Sequence, residues 1–227
     1  MDDDLPDLSG LAAAAHALLV DTGGRLIPPD VSARAIRRAC AELVDIPPSL
    51  LASIFREIEA AARPVMVSAW GPGSEVLARG RFGTTAKIAP AQEPRDALDS
   101  CRVGGRAVIA METRDPWWAR LLAEPKLSVI DDFLPRGGLK PRAFAVAPLW
   151  SEPSGADRTW WITDSAAPPH EIEARLAELG LSGRQAIATG GMRLFALDGY
   201  VQAGDVRLAE APGRLSGVIG AVPLIET

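Results

Sequence analysis

The stretch VMVSAWGPGSEVLARGRFG, residues 65–83, decides how the middle of the chain is organised. An apolar run ends at Trp70, a turn of glycine and proline follows, and a segment of helical composition begins at Ser74. The pattern predicts a strand, a tight turn and a helix capped by Ser74. Such a turn often holds an anion, because backbone N–H groups and the helix dipole point toward it. A purely structural turn is the alternative.

The same alternation of strand and helix continues to residue 150. Apolar runs separated by amphipathic segments indicate a parallel or mixed sheet covered by helices. The predicted strands are 86–91, 106–112, 127–133 and 142–150, and the predicted helices are 93–104 and 116–123.

After a polar loop, the C-terminal segment has a different order of elements. Strand, helix, strand, strand, short helix and strand follow one another, which is the ferredoxin-like pattern. The elements are 158–164, 168–180, 185–190, 192–201, 206–211 and 215–225.

The N-terminal segment is predicted to be helical. Residues 8–20 are apolar all round and contain His16, which we expect to be packed in a helix. Residues 30–43 and 47–63 have apolar positions at helical spacing. The predicted fold class is therefore α+β and multidomain: helices over 1–64, an α/β domain over 65–150, and a ferredoxin-like domain over 151–227.

The composition narrows the classes of partner. The chain has 227 residues, a formal net charge of −5 and 48% hydrophobic residues, which suits a globular protein and disfavours nucleic acid or anionic membranes as partners. The acidic N-terminus lacks the basic region of a signal peptide, so we expect a cytoplasmic protein. The two cysteines and two histidines have no metal-ligand spacing. We expect neither a metal nor a cofactor.

Four tryptophans come in adjacent pairs. Trp117 and Trp118 are expected to pack in the core or at a domain contact. Trp160 and Trp161 follow one another on a predicted strand and so point to opposite faces. One of these two rings is therefore expected to be half exposed.

Three local patterns resemble the bifunctional chorismate mutase–prephenate dehydratase family. The stretch 67–83 resembles the first strand, turn and helix of the dehydratase, and RAVIAMETRD (106–115) resembles its strand ending in Pro-Ile-Glu-Asn-Ser. GADRTWWIT (155–163) and VIGAVP (218–223) resemble the first and last strands of an ACT domain. The segment SIFREIEAAAR (53–63) resembles the third helix of a helical mutase. The resemblance implies a one-lobe dehydratase-like domain followed by an ACT-like domain.

The resemblance implies a chorismate mutase in which the usual catalytic positions are changed. A mutase clamps a dicarboxylate and stabilises a developing negative charge. Arginines nearest to the family's cationic positions are predicted to be substitute clamps, with a solvated helix face as the alternative: Arg34, Arg37, Arg38 and Arg63.

The dehydratase-like part also departs from the family. Arg142-Ala143-Phe144 stands where the family has Thr-Arg-Phe, and Glu112-Thr113 stands where it has Glu-Asn. Dehydratase activity is therefore not expected. Ser74, Glu112, Thr113 and Arg142 are the predicted ligand-binding residues.

Two functions follow from the resemblance. The first is chorismate mutase-like activity in phenylalanine and tyrosine biosynthesis, the rearrangement of chorismate to prephenate. The alternative is a catalytically degenerate regulatory or scaffold protein that binds a small aromatic acid or a pathway enzyme. The implied partners are an aromatic carboxylate such as chorismate or prephenate and, because ACT domains often pair, a second copy of the chain.

Overall fold

The computed structural model describes residues 27–112 and 114–225. It begins with two helices, α1 (Pro29–Glu42) and α2 (Pro48–Ala62), each with a proline in the first turn, where no intrahelical hydrogen bond is lost. The apolar faces of α1 and α2 pack on each other through Ile36, Leu51 and Phe55. Both helices were predicted from their periodicity. The predicted helix 8–20, with His16, lies outside the described residues.

The described residues form one mixed sheet of nine strands. The strands are β1 (Met66–Trp70), β2 (Lys87–Pro90), β3 (Arg106–Ala110), β4 (Ser128–Asp132), β5 (Ala143–Ala147), β6 (Asp157–Thr163), β7 (Gly183–Thr189), β8 (Met192–Asp198) and β9 (Ser216–Pro223). Their spatial order is β2-β1-β3-β5-β4-β9-β6-β8-β7. The helices between them are α3 (Ser74–Phe82), α4 (Pro94–Arg102) and α5 (Pro169–Glu178), and two short 3-10 helices cover Trp117–Ala123 and Val206–Glu210.

The α/β segment and the C-terminal segment share this sheet. β1 is parallel to β2 and β3, β5 is antiparallel to β3 and β4, and the last four strands are antiparallel in the order β9-β6-β8-β7. The two halves meet where β4 runs parallel to β9, with Val129 opposite Gly220. The mixed α/β sheet confirms the predicted class in outline. The division into three domains stays a prediction.

Both faces of the sheet are covered, which changes the expectation for the tryptophans. Trp160 packs edge-on against Phe144, with ring centroids 5.0 Å apart, in the core below the 117–123 helix. Trp161 packs against Phe195 at 5.6 Å in the core below α5. Trp160 and Trp161 are both 0% exposed, so the prediction of one half-exposed ring was wrong. The reason is that α5 and the 206–210 helix cover the face that we expected to be open.

The turn after β1 is closed by its own backbone and side-chain contacts. Gly73, in the left-handed region at φ +72°, occupies the cap position of α3, and no side chain caps the helix. Ser74 is buried, and its hydroxyl donates to the carbonyl of Gly71 at 2.8 Å. The predicted side-chain cap by Ser74 was therefore wrong. Gly71 is required by packing, since a Cβ there would lie 2.6 Å from the Cβ of Ala110.

No helix within the described residues combines the length and apolar character that a membrane crossing requires.

Candidate functional site

A cleft of about 350 Å³ separates the α1–α2 hairpin from the sheet. It opens beyond the carboxyl ends of β4 and β9, two neighbouring parallel strands. Crevices at the carboxyl ends of such strands are common ligand sites in α/β sheets. The lining includes apolar side chains, which we call the apolar wall: Ala33, Ile36, Ala52, Ile130 and Val222. It also includes charged side chains: Arg56, Glu59, Arg81, Asp131 and Asp132. The volume lies in the usual range of small-molecule sites, which starts at about 300 Å³.

A β-bulge places two successive carboxylates at this cleft. The register between β4 and β5 shifts between Val129 and Asp131, and a bulge of this kind re-aims the side chains that follow it. The Asp131 carboxylate lies 2.5 Å from Arg81 Nε, on the side of α3. Asp132 Oδ2 accepts hydrogen bonds from Trp160 Nε1 at 2.9 Å and from Arg158 at 3.1 Å, on the side of β6.

The two carboxylates differ in their surroundings. Burial raises the pKa of Asp132, and the neighbouring charge of Asp131 raises it further, while Arg158 acts in the opposite direction. The Asp132 side chain is 7% exposed, against 21% for Asp131. Asp132 is therefore the group at the cleft that binds a proton more readily than an ordinary aspartate.

Arginines gather at a small cavity beside the cleft. A small cavity of about 60 Å³ adjoins the main one and shares Arg56, Glu59 and Arg81 with it. Arg63 and Arg106 complete the charged part of its lining. We call Arg56, Arg63, Arg81 and Arg106 the arginine cluster. Among residues 27–112 and 114–225, the carboxylate that lines this cavity is that of Glu59, which accepts a hydrogen bond from the Ser32 hydroxyl.

Arg106 is the most buried member of the arginine cluster. It projects from β3, is 5% exposed, and donates one long hydrogen bond, 3.4 Å, to the carbonyl of Gly105. Burial lowers its pKa to about 10, and repulsion from Arg81 contributes in the same direction. The side chain is still a cation at neutral pH. Among the described residues it makes no ion pair within 4 Å, and the carboxylate of Glu59 is an opposite charge that favours its charged form.

The predicted substitute clamps on α1 have structural partners. Arg34 pairs with the buried Asp30 at 2.6 Å and donates to the carbonyl of Pro153 at 2.9 Å. Arg37 donates to the carbonyls of Leu224 and Ser154. These contacts attach α1 to the loop before β6 and to the residue after β9.

The other predicted site residues are dispersed. Arg38 is exposed on α1, and Glu112 is exposed after β3. Arg142 is exposed and lines a groove with Arg81 and Asp131, on the outer side of the same carboxylates. Thr113 lies outside the described residues. Of the predicted clamps, Arg63 alone lines the cavities at the α1–α2 hairpin.

Sequence reasoning missed most residues of this site. Arg56, Arg81 and Arg106 come from α2, α3 and β3, and no local motif connects them. One sequence feature could have indicated the site, namely the arginine that begins the otherwise apolar strand RAVIA. Charged residues are rarely buried unless they are paired, so a charge in a buried strand points to a specific role. The pair Asp131-Asp132 at the end of SVIDD was a second signal, at a strand end where sites are common.

No known protein family and no curated protein matches the sequence. Solved structures show a distant likeness that covers 70–71% of this chain. One is GqqA, described as a novel type of quorum quenching acylase, with 16% identity, a TM-score of 0.46 and 95% of that chain covered. Another is the prephenate dehydratase of Arthrobacter aurescens in complex with L-Phe, with 16% identity, a TM-score of 0.44 and 90% covered.

The prephenate dehydratase of Staphylococcus aureus is similar at 10% identity, with a TM-score of 0.45 and its whole chain covered. The likeness concerns the fold at a distance and does not extend to activity. It agrees in outline with the resemblance to prephenate dehydratases. The chorismate mutase and ACT resemblances stay predictions.

Proposed function

We propose that the protein binds a small carboxylic acid with an apolar body in the cleft between the α1–α2 hairpin and the sheet. The observation that carries the proposal is the mixed lining of this cleft and of the small cavity beside it, which combines apolar side chains with guanidinium groups. An aromatic or aliphatic body would bury apolar surface against Ile36, Ile130 and Val222. The acid group would accept charge-assisted hydrogen bonds from guanidinium groups, which contribute about 1.5–3 kcal/mol each.

Binding without turnover is the function that the contacts support best. A mutase needs several cations that converge on one dicarboxylate and on the ether oxygen. Arg34 and Arg37 donate to backbone carbonyls instead, and Arg38 is exposed. The protein then corresponds to the regulatory or scaffold alternative, and its ligand class is the aromatic carboxylates related to chorismate, prephenate and phenylalanine.

Chorismate mutase activity is the second candidate, and Arg63 at the arginine cluster favours it. In that case the cluster replaces the usual clamps, and Asp132, whose pKa is raised by burial, also lines the cleft. The ether oxygen that gains negative charge would then need a guanidinium of the cluster as its hydrogen-bond donor.

Two measurements on the purified protein test these functions together. A thermal-shift titration with chorismate, prephenate and L-phenylalanine should raise the melting temperature with at least one of them. Chorismate absorbance, followed at micromolar protein, should not fall faster than without protein. Rapid loss of chorismate would establish the second function instead, and no shift with any acid would refute binding of this class.

The matched variants are Ile36→Asp and Leu50→Asp. Ile36 is 2% exposed on the apolar wall, whereas Leu50 is exposed at the start of α2. A charge at position 36 should abolish the ligand-induced shift, although it also destabilises the hairpin. Ala33→Val, a milder change on the same wall, should weaken the shift in a chain that still folds.

A further inference from the structure

Asp132 has one carboxylate oxygen that the fold itself does not use. Both hydrogen bonds that this side chain accepts, from Trp160 Nε1 at 2.9 Å and from Arg158 at 3.1 Å, reach Oδ2. Within the described residues Oδ1 has no hydrogen-bond partner. It does not belong to the side-chain oxygens that are fully buried without a partner, such as Asp157 Oδ1, so it remains in contact with solvent. Asp132 thus keeps a free acceptor at the end of β4.

The position of this acceptor is fixed before any ligand binds. Arg158 and Trp160 both belong to β6, so the C-terminal strands hold the carboxylate in place. The Asp132 side chain is 7% exposed, and it lines the cleft and also the groove that contains Arg142. A polar group held in this way by its neighbours is preorganised for a single contact.

An apolar body that fills the cleft removes water from this oxygen. An acceptor that loses its water without gaining a donor costs the full desolvation penalty, which is larger for a charged group than for a neutral one. The raised pKa of Asp132 has the same origin, since burial disfavours its charged form. A ligand that brings an O–H or N–H group to Oδ1 avoids the penalty. Such a site rejects an analogue without the donor more strongly than a purely apolar site does.

We propose that Asp132 selects ligands that carry a hydrogen-bond donor, a hydroxyl or ammonium group, in addition to the acid group, and that this donor bonds to Oδ1. The inference rests on the proposed function, because the acid group and the apolar body are those of the acid bound in the cleft. It narrows the ligand class from carboxylic acids in general to hydroxy acids and amino acids.

The test compares four acids that share one apolar body, using the full chain and titration calorimetry. 3-Phenylpropanoate has no donor besides the acid group. 3-Phenyllactate and phenylalanine carry a hydroxyl and an ammonium group next to the acid, and 3-(4-hydroxyphenyl)propanoate carries a hydroxyl on the ring. We expect the wild type to bind at least one donor-bearing acid about tenfold or more tighter than 3-phenylpropanoate.

Asp132→Asn changes the acceptor and keeps the shape of the side chain. Because Trp160 and Arg158 are donors, the amide oxygen faces them and the NH₂ group takes the place of Oδ1. The preference for a donor-bearing acid should then fall below about twofold. Asp132→Ala removes both oxygens and should have the same effect, and Arg158, at 23% exposed, stays in contact with water. Asp198→Asn, at an exposed aspartate on β8, is the matched control and should keep the preference.

The outcomes separate this inference from the proposed function. Equal binding of all four acids by the wild type, or a preference that persists in either Asp132 variant, overturns the inference and leaves the proposed function standing. Failure of the wild type to bind any of the acids refutes both. Ala33→Val, on the apolar wall, should weaken binding of all four acids. If it leaves the preferred acid unaffected, that acid does not bind in the cleft and the inference is wrong.

Discussion

Gly220 joins the two halves of the sheet, and its replacement by alanine should have a large effect. The residue pairs with Val129 of β4 on one side and with Trp160 of β6 on the other. Its φ of +155° is unusual for an L-residue, and an added Cβ would lie 2.2 Å from the carbonyl oxygen of Val129 and 2.6 Å from its nitrogen. Backbone atoms on a central strand have little freedom to move away. Gly220→Ala therefore separates β4 from β9 or strains both.

The expected cost is the sum of two effects. Overpacking in a close-packed interior costs about 1–3 kcal/mol. A residue held in a sparsely populated backbone conformation costs about 1–3 kcal/mol more. A loss of about 4 kcal/mol lowers the melting temperature of a chain of this size by about 8–16 °C.

Gly191→Ala is the matched control. Gly191 also has a positive φ, +77°, but no atom lies within 4 Å of a Cβ at that position. Gly191→Ala should therefore lower the free energy of unfolding only by the cost of its backbone conformation, about 1–2 kcal/mol. Urea unfolding followed by circular dichroism gives the free energy of unfolding for both variants. Equal losses in the two variants would refute the reasoning, because the contact with Val129 would then have no energetic consequence.

The same experiment addresses the predicted domains. Tryptophan fluorescence reports the surroundings of the indole rings, which lie in both cores, while circular dichroism reports all helices and strands. If the two halves unfold as one unit, both probes give the same transition. A transition that splits in two would favour separate α/β and C-terminal domains, as the division at residues 150 and 151 predicts.

Three further predictions concern polar contacts of the fold and cleft. Arg37→Met should lower the free energy of unfolding by about 2 kcal/mol, since two carbonyls lose a charged donor. Replacing the exposed Arg38 by Met should change it by less than about 0.5 kcal/mol in the same urea assay. Equal effects would contradict the role of Arg37 in attaching α1. Trp160→Phe should destabilise the protein by about 1–2 kcal/mol more than Trp161→Phe. The reason is that the Trp160 N–H donates to Asp132, whereas the Trp161 N–H has no hydrogen-bond partner within the described part of the chain. A larger loss for Trp161→Phe would refute this. Because the pKa of Asp132 is raised in the folded protein, the folded state binds a proton more readily than the unfolded state. The free energy of unfolding of the wild type, relative to that of Asp132→Asn, should therefore increase as the pH falls from 7 toward 4. A decrease over that range would contradict the burial of this carboxyl.

Local patterns predicted most elements of the fold. Apolar runs such as RAVIA and AFAVA are strands, and the proline-led segments at 48 and 169 begin helices. Strand and helix formation at these positions depends on residues that are close in the sequence, so hydrophobic periodicity predicts it. The two segments expected to be short helices, 116–123 and 206–211, are 3-10 helices, which are too brief for a clear period.

No local sequence pattern predicted the pairing of β4 with β9. Parallel pairing of distant strands depends on which surfaces the whole chain buries, and the register at Val129 and Gly220 rests on one close backbone approach. The exposure of Trp161 was misjudged for the same reason. Whether one face of a strand is covered depends on α5, which is adjacent only in the folded protein.

The arginines illustrate how contacts separate structural from ligand-binding residues. Arg34 and Arg37 seemed suitable clamps because they lie on a helix near the family's cationic positions, but each has short hydrogen bonds to carbonyls of the chain. Their charges are compensated without a ligand. Arg106 is more deeply buried than either and has one long contact. Burial and short contacts with the chain therefore have to be read together, because a buried arginine and a half-exposed one differ in how the described residues compensate their charge.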